Sequence, residues 1–302
     1  MGKTPHIEYL IRLLKDYINV ATLSRGYGRK TRGFLLIQPQ NNAEDVGDEP
    51  LQFKRKFPDI LVSVSENRAF AIPQLIMEQP QLQTVLLDDA FQHRSIEPGL
   101  NILLTEFQYP YTKDFLLPSG RLREWSSAAQ RADIIIVSKC PMELSESERT
   151  AMITELDPLS YQKIFFSYYT YQKPYYIFNP IYRAPLNPAL NILLISAIAR
   201  TEYLVEYLNT QVKSVKILQY EDHHYFTNYD ISHLKRNFEA IENPNKIILT
   251  TEKDAMRLEL HRNYLIEHKL PVFVLPTEVA FHGEDDKSFN QVIQQYLLNF
   301  TA

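Results

Sequence analysis

The chain has one cysteine, one tryptophan and only eight glycines in 302 residues. A single cysteine, Cys140, excludes an internal disulfide and fits a reducing compartment. No stretch of about 18 apolar residues occurs, which leaves no candidate for a membrane-spanning helix. Met1 runs directly into Gly-Lys-Thr, with no basic-then-apolar leader. An excess of positive charge is missing too. The formal net charge is −4, which argues against a nucleic-acid binder. There is no low-complexity run and no internal repeat, and 45% apolar with 23% charged residues is an ordinary globular balance. The glycines are scarce but uneven. Seven of the eight lie at or before Gly120, so the first 120 residues are the expected place for loops that wrap a ligand.

What is present begins at the first residues. Gly2-Lys3-Thr4 is the second half of G-x-x-x-x-G-K-[ST], whose backbone N–H groups cradle phosphates. In that pattern the Lys reaches the outer phosphates and the Thr serves Mg²⁺. Residues 5–17 place Ile7, Leu10, Ile11 and Leu14 at helical spacing, and Val20-Ala21-Thr22-Leu23 reads as a short buried strand. Further strands are expected at 62–64, 84–87, 100–104 and 134–137, with a helix over 69–80. This alternation predicts a mostly parallel α/β sheet. From about 164 the texture changes to closely spaced aromatics broken by Pro174 and Pro180. That stretch reads as an extended ribbon linking two domains. Strands at 191–196, 215–218, 246–249 and 272–274 restart the rhythm. The expected division is a P-loop domain over 1–163, an aromatic linker over 164–187 and a smaller α/β domain over 188–302.

Several clusters carry candidate chemistry. Leu86-Leu87-Asp88-Asp89 is an apolar strand ending in two hard-oxygen ligands suited to Mg²⁺, or alternatively a solvated turn with a helix cap. Ser24-Arg25-Gly26-Tyr27-Gly28-Arg29-Lys30 sets three cations and an aromatic on a flexible backbone, which suits an anionic group. Gly47-Asp48-Glu49-Pro50 offers a carboxylate able to deprotonate an acceptor hydroxyl. From these four residues alone a solvated turn explains it better. Asp222-His223-His224 pairs imidazole with carboxylate, without a third ligand spaced for zinc, and in isolation reads as a surface or capping histidine. Gly120-Arg121-Leu122-Arg123-Glu124 sets two arginines and an acid behind a proline-glycine turn. Thr250-Thr251-Glu252-Lys253-Asp254 reads as a helix cap. Cys140 has no partner base nearby and reads as inert.

Taken in order, GKTP (2–5), LSRGYGRKTRG (23–33), DVGDEP (45–50), LLDDAFQH (86–93), LLPSGRLRE (116–124), DHHYF (222–226) and TTEKDAMRL (250–258) resemble one family across essentially the whole chain. That family is the tetraacyldisaccharide 4′-kinases of lipid A biosynthesis. The resemblance implies two α/β/α sandwich domains: a P-loop NTPase-like one with a parallel sheet and a smaller C-terminal one. A β-ribbon joins them, and the site lies in the cleft. It implies ATP and Mg²⁺ as cofactors and an acylated glucosamine disaccharide 1-phosphate as acceptor. It further implies peripheral contact with the cytoplasmic face of the bacterial inner membrane, with no nucleic acid and no obligate protein partner.

Residue by residue, the resemblance carries Gly2, Lys3 and Thr4 over to the phosphate loop and Thr4, Asp88 and Asp89 to the metal. Asp48 matches the base, with His223 as its partner from the second domain and Lys3 as the phosphate-side catalytic cation. Ser24, Arg25, Tyr27 and Arg29 match the substrate loop, His93 and Arg121 further substrate positions, and Arg123 and Glu124 nucleotide positions. Two departures stand out. Relatives carry an N-terminal segment with a hydrophobic helix, the first strand and the leading P-loop glycines. The expectation is that Met1 is an internal residue of the natural loop taken as a start. Secondly, Ala197-Ile198-Ala199-Arg200 replaces a turn with glycine and Asn-Pro, a change expected to touch no chemical residue. A P-loop kinase for a soluble small molecule and a non-catalytic relic remain as alternatives.

Overall fold

A computed structural model describes residues 2–300. The expectation about Met1 therefore falls outside the described residues. The chain folds as two compact units that exchange segments. The first comprises Met1–Arg25, Asn67–Thr170 and Glu278–Ala302; the second comprises Gly26–Glu66 and Tyr171–Thr277.

The chain opens in the first unit with α1 (Lys3–Leu14), whose Leu10, Ile11 and Leu14 are buried, and β1 (Val20–Ser24), buried throughout. It crosses to the second unit for β2 (Leu35–Leu36), α2 (Ala43–Val46), α3 (Asp48–Lys56) and β3 (Leu61–Val64). Asn42 and Asp45 form a reciprocal capping box on α2. Gly47, at φ 92°, then turns the chain so that α3 starts on Asp48 itself. A β-carbon at Gly47 would stand 3.1 Å from the Tyr27 carbonyl, so the turn and the Tyr27 loop are moulded together.

Back in the first unit come α4 (Arg68–Glu78), β4 (Thr84–Leu87), β5 (Ile102–Glu106), β6 (Ile134–Ser138), α5 (Glu146–Leu156) and β7 (Lys163–Tyr171). β1 and β4 pair in parallel, Val20 opposite Thr84 through Leu23 opposite Leu87. β5, β6 and β7 form a second parallel set. β4 and β5 each end their sheet among the described residues. A cavity of about 650 Å³ lies between them, lined by Leu10, Leu86, Leu104, Ile136, Phe281 and Phe289. The first strand of the expected P-loop fold thus has no counterpart among the described residues.

The second unit continues with β8 (Tyr175–Tyr176), β9 (Asn179–Arg183), β10 (Asn191–Ser196), α6 (Glu202–Gln211), β11 (Ser214–Gln219), α7 (Asn228–Glu239), β12 (Lys246–Thr251), α8 (Glu252–Leu258), α9 (Arg262–Glu267) and β13 (Val272–Leu275). Its sheet runs β11-β10-β12-β13-β8-β9, parallel through β13 and antiparallel beyond. The middle of β10 is shut off from solvent. Ile192, Leu193, Leu194 and Ile195 are all fully buried, as a strand covered on both faces requires. The chain ends with β14 (Thr277–Phe281) and α10 (Asp285–Asn299).

The observed division differs from the expected boundaries at 163 and 188 in three places. The aromatic stretch is not a separate linker. β7 is a sheet strand of the first unit, while β8 and β9 form a hairpin on the sheet of the second. The tail returns to the first unit because Val279, Phe281, Phe289 and Ile293 share a core with Leu10, Val20, Ile134, Ile136 and Phe165. Burying four large apolar side chains there is worth several kcal/mol, at about 1.5–3 kcal/mol each. Residues 26–66 belong to the second unit because α3 packs on α8, with Lys56 bridging Glu252 at 2.7 Å and Arg55 bridging Glu259 at 3.2 Å.

Candidate active site

In the first unit the candidate residues gather around the start of α1 and the tip of β4. Gly2 stands at φ 101° and no side chain caps α1, so the N–H groups of its first turn, those of Lys3 and Thr4 ahead of Pro5, have no side-chain cap and make a candidate anion site. A β-carbon on Gly2 would meet the Tyr169 hydroxyl at 2.6 Å. Lys3 Nζ lies 2.9 Å from Asp89 Oδ1, and Arg123 Nη1 donates to Asp89 Oδ2 at 2.9 Å. Burial opposes ionisation of Asp89, but the two cations outweigh it and hold the carboxyl below its usual range. Asp88 is 2% exposed and accepts from Ser24 Oγ at 3.5 Å.

Arg68 is buried and pins this tip by donating to the backbone carbonyls of Asp88 at 2.6 Å and Asp89 at 3.1 Å. Sequence reasoning missed Arg68, because a single arginine in the first turn of a helix carries no motif. The donor set fits Mg²⁺ with a nucleotide: two adjacent carboxylates on a strand tip, a threonine hydroxyl and open helix-terminal amides, all hard donors. No cluster of three or more His, Cys, Asp or Glu side chains suited to a metal occurs among the described residues. A metal here would take its remaining ligands from phosphate and water.

The other first-unit candidates are more dispersed. His93 is half-buried, and its ring nitrogen shares a 2.9 Å hydrogen bond with Ser95 Oγ. Desolvation, with Arg68 and Arg25 nearby, lowers its pKa. Arg121 is held by Asp114 at 2.9 Å, over the ring of Tyr109. Glu124 does not stand open toward a nucleotide. Both its oxygens accept from Arg131, at 2.7 and 3.1 Å, a bidentate pair that anchors the loop.

In the second unit, Asp48 opens α3 at 4% exposure. Its Oδ1 accepts from the Glu49 amide at 2.8 Å, and its Oδ2 lies 3.2 Å from His223 Nδ1 and 3.5 Å from Arg257 Nε. Burial pushes the Asp48 pKa up. The His223 hydrogen bond and the Lys253 and Arg257 cations outweigh it and bring the pKa below the ordinary 3.8. His223 is held at φ 62°, and its amide donates to the Ala197 carbonyl at 3.1 Å. The Tyr27 ring sits 4.7 Å from the imidazole and is 67% exposed, open to a ligand.

Lys253 Nζ lies 3.1 Å from His223 Nε2, 3.3 Å from Glu49 and 3.6 Å from Asp222. Burial disfavours its charge, but those carboxylates and Asp48 win and raise its pKa. Beneath them Arg257, 1% exposed, donates to Asp254 and to the carbonyls of His224 and Ala197.

Four expectations are corrected. Asp48 and His223 do not come from different domains; both belong to the second unit, because Gly26–Glu66 folds with Tyr171–Thr277. Arg29 does not reach outward. Its side chain is 2% exposed and donates to Glu66 at 2.5 Å and to the Gly33 carbonyl at 2.6 Å, which fixes the loop that carries Tyr27. The Ala197 turn does touch a chemical residue, since its carbonyl holds His223. Glu124 is engaged as described. The Asp222-His223-His224 run divides in function: His224 bonds Asp230 at 2.9 Å inside the cap of α7. Cys140 is buried, and that burial pushes its thiol up to about 12.

Comparison with known proteins adds four findings. The family profile for tetraacyldisaccharide-1-P 4′-kinase matches residues 1–298. A tetraacyldisaccharide 4′-kinase of Bacteroides thetaiotaomicron is 40% identical over 98% of this chain and 81% of its own length. One of Flavobacterium johnsoniae is 41% identical over 98% of this chain and 83% of its own. Among solved structures, LpxK from Aquifex aeolicus in complex with ATP superposes with a TM-score of 0.69 at 25% identity, covering 98% of this chain and 84% of that one.

Proposed function

The chain belongs to the tetraacyldisaccharide-1-phosphate 4′-kinase family, and from that premise we propose how its two units divide the reaction. The activity is that of an ATP-dependent kinase in lipid A biosynthesis: the γ-phosphate of ATP passes to the 4′-hydroxyl of a tetraacylated glucosamine disaccharide 1-phosphate.

The first unit serves the phosphoryl donor. The amides at the start of α1, with Lys3, bind and orient the phosphate chain. Asp88, Asp89 and Thr4 would hold Mg²⁺, which neutralises charge on the phosphates when bound. Lys3 and Arg123 both rest on Asp89, and each is drawn toward phosphate on binding. The second unit serves the acceptor. A sugar hydroxyl is a weak acid, so its proton must leave as the P–O bond forms. Asp48 takes that proton. His223, hydrogen-bonded to Asp48 Oδ2, orients the carboxylate, and Tyr27 lies beside the imidazole as a wall for the sugar.

The single observation that carries this reading is the buried Asp48 carboxylate paired with a half-buried His223, with an exposed aromatic against the imidazole. We further propose peripheral contact with the cytoplasmic face of the membrane, in keeping with an acylated acceptor and an ATP donor. It is supported by Tyr109, Phe115, Leu117 and Trp125, all exposed in one loop region of the first unit. No helix among the described residues is long and apolar enough to cross a membrane.

The test is mass spectrometry and ³¹P NMR of products from ATP and a detergent-dispersed acylated glucosamine disaccharide 1-phosphate, with a deacylated disaccharide alongside. A 4′-phosphomonoester on the acylated acceptor is expected. Equal or better turnover of the deacylated sugar would move the assignment to a kinase of soluble substrates.

A further inference from the structure

Lys253 lies in Thr250-Thr251-Glu252-Lys253-Asp254, where Thr251 and Asp254 cap α8 and Glu252 pairs with Lys56. The kinase scheme gives Lys253 no task, yet its ammonium is aimed at the reacting pair. Its side chain is 17% exposed, with Nζ 3.1 Å from His223 Nε2, 3.3 Å from Glu49 Oε1 and 3.6 Å from Asp222 Oδ1. An ammonium has three hydrogens to donate and no lone pair. The imidazole nitrogen facing it therefore presents its lone pair, and the ring proton sits on Nδ1, 3.2 Å from Asp48 Oδ2.

We propose that Lys253 is a positioning residue that fixes His223 as the neutral Nδ1–H tautomer, so that the imidazole donates to Asp48. This rests on Asp48 being the base. The groups facing His223 are Asp48 from α3, Lys253 from α8, Asp222 from its own loop at 4.0 Å and the Tyr27 ring. Arg257 approaches the same Asp48 oxygen from below. With Lys253 in place, a second proton on Nε2 would sit against a cation. Without it, Nε2 faces Asp222 and is free to carry a proton toward that carboxylate. The pair would then bind a proton more readily, and Asp48 would be a poorer base.

The test is long-range ¹H–¹⁵N NMR of the full chain labelled with ¹⁵N-histidine, with His223 identified by its loss in His223→Gln. The wild type is expected to show the Nδ1–H tautomer at pH 7. Lys253→Met is expected to show a ring protonated at Nε2, and Lys253→Arg to keep the wild-type pattern. In parallel, the acidic limb of the kcat–pH profile moves upward by about one unit in Lys253→Met, costing about tenfold below the limb, and activity recovers at high pH.

A wild-type ring protonated at Nε2, or a Lys253→Met ring identical to the wild type, overturns the proposal. Should Lys253→Met fail to fold, the wild-type tautomer and Lys253→Arg still decide. Failure of the base assignment shows differently, as full turnover in Asp48→Asn whatever tautomer the histidine adopts.

Discussion

Arg257→Met removes a cation that four groups depend on. Arg257 is 1% exposed and donates to the carbonyls of His224 at 3.0 Å and Ala197 at 3.1 Å, pairs with Asp254, and approaches Asp48 at 3.5 Å. Asp254 is the group that suffers most. It is fully buried, and burial already raises its pKa against the pull of Arg257, Thr251 and the Ala197 amide. Deleting one partner of such a pair leaves an uncompensated buried charge and costs about 3–5 kcal/mol. For a unit of this size, at about 2–4 °C per kcal/mol, the thermal midpoint should fall by about 6–20 °C. The assay is thermal and urea unfolding at pH 7.5, with Asp254→Asn and the double variant completing a cycle. The double variant should lose less than the two single losses added, by about 1 kcal/mol or more, because the neutral amide introduced by Asp254→Asn no longer needs the cation. A loss below about 1 kcal/mol in Arg257→Met, or strict additivity, would refute the view that this network supports the Asp48–His223 floor.

Asp48→Asn tests linkage. A carboxyl held below its ordinary 3.8 stabilises the fold fully above that value and loses the contribution as pH falls through the folded value. The wild-type advantage over Asp48→Asn should therefore be constant from about pH 5 to 8 and close only in strong acid, as read by unfolding midpoints. His6 should act in a milder window. Its pKa is lowered from 6.5 to about 4 chiefly by burial, beneath bonds to the Gly2 carbonyl and Ser167, so neutral His6 stabilises the fold above pH 6.5 and that stability drains away toward pH 4. A shift of this size corresponds to about 3 kcal/mol. His6→Gln should flatten that part of the stability–pH curve, and an unchanged slope would contradict the argument. Lys3→Met should weaken nucleotide binding by about tenfold or more in calorimetry while leaving the thermal midpoint within a few degrees, since its partner Asp89 keeps Arg123.

Much of the layout was legible locally. The strands at 20–23, 191–196 and 272–274 and the helix behind Gly-Lys-Thr are runs whose burial follows from their own apolar pattern, and the strand at 84–87 was legible as a strand although its residues are only half-buried. What stayed hidden depends on contacts distant in sequence. Nothing within 277–299 tells that Phe281 and Phe289 join Leu10 and Phe165; only the packed core does. The charged chemistry divides in the same way. Asp88 and Asp89 stood out as paired acids at the end of an apolar strand, whereas Asp48 and His223 read in isolation as a solvated turn and a capping histidine and were carried by the family resemblance alone. Arg68, Arg257 and Lys253 were not, because each acts from within a helix and its importance lies in a partner 20 or more residues away. Arg29 and Glu124 were over-read for the matching reason. A charged residue in a glycine-rich loop looks available until its own ion pair, with Glu66 or Arg131, is seen.

The central claim is that the second unit supplies the base while the first holds the donor. The most direct test measures turnover and ATP affinity together in Asp48→Asn, using detergent-dispersed acylated disaccharide 1-phosphate. The account predicts a fall in kcat of about 10²–10⁴ with ATP affinity within about twofold of the wild type. Turnover near the wild-type rate, or a loss explained by ATP affinity alone, would contradict it.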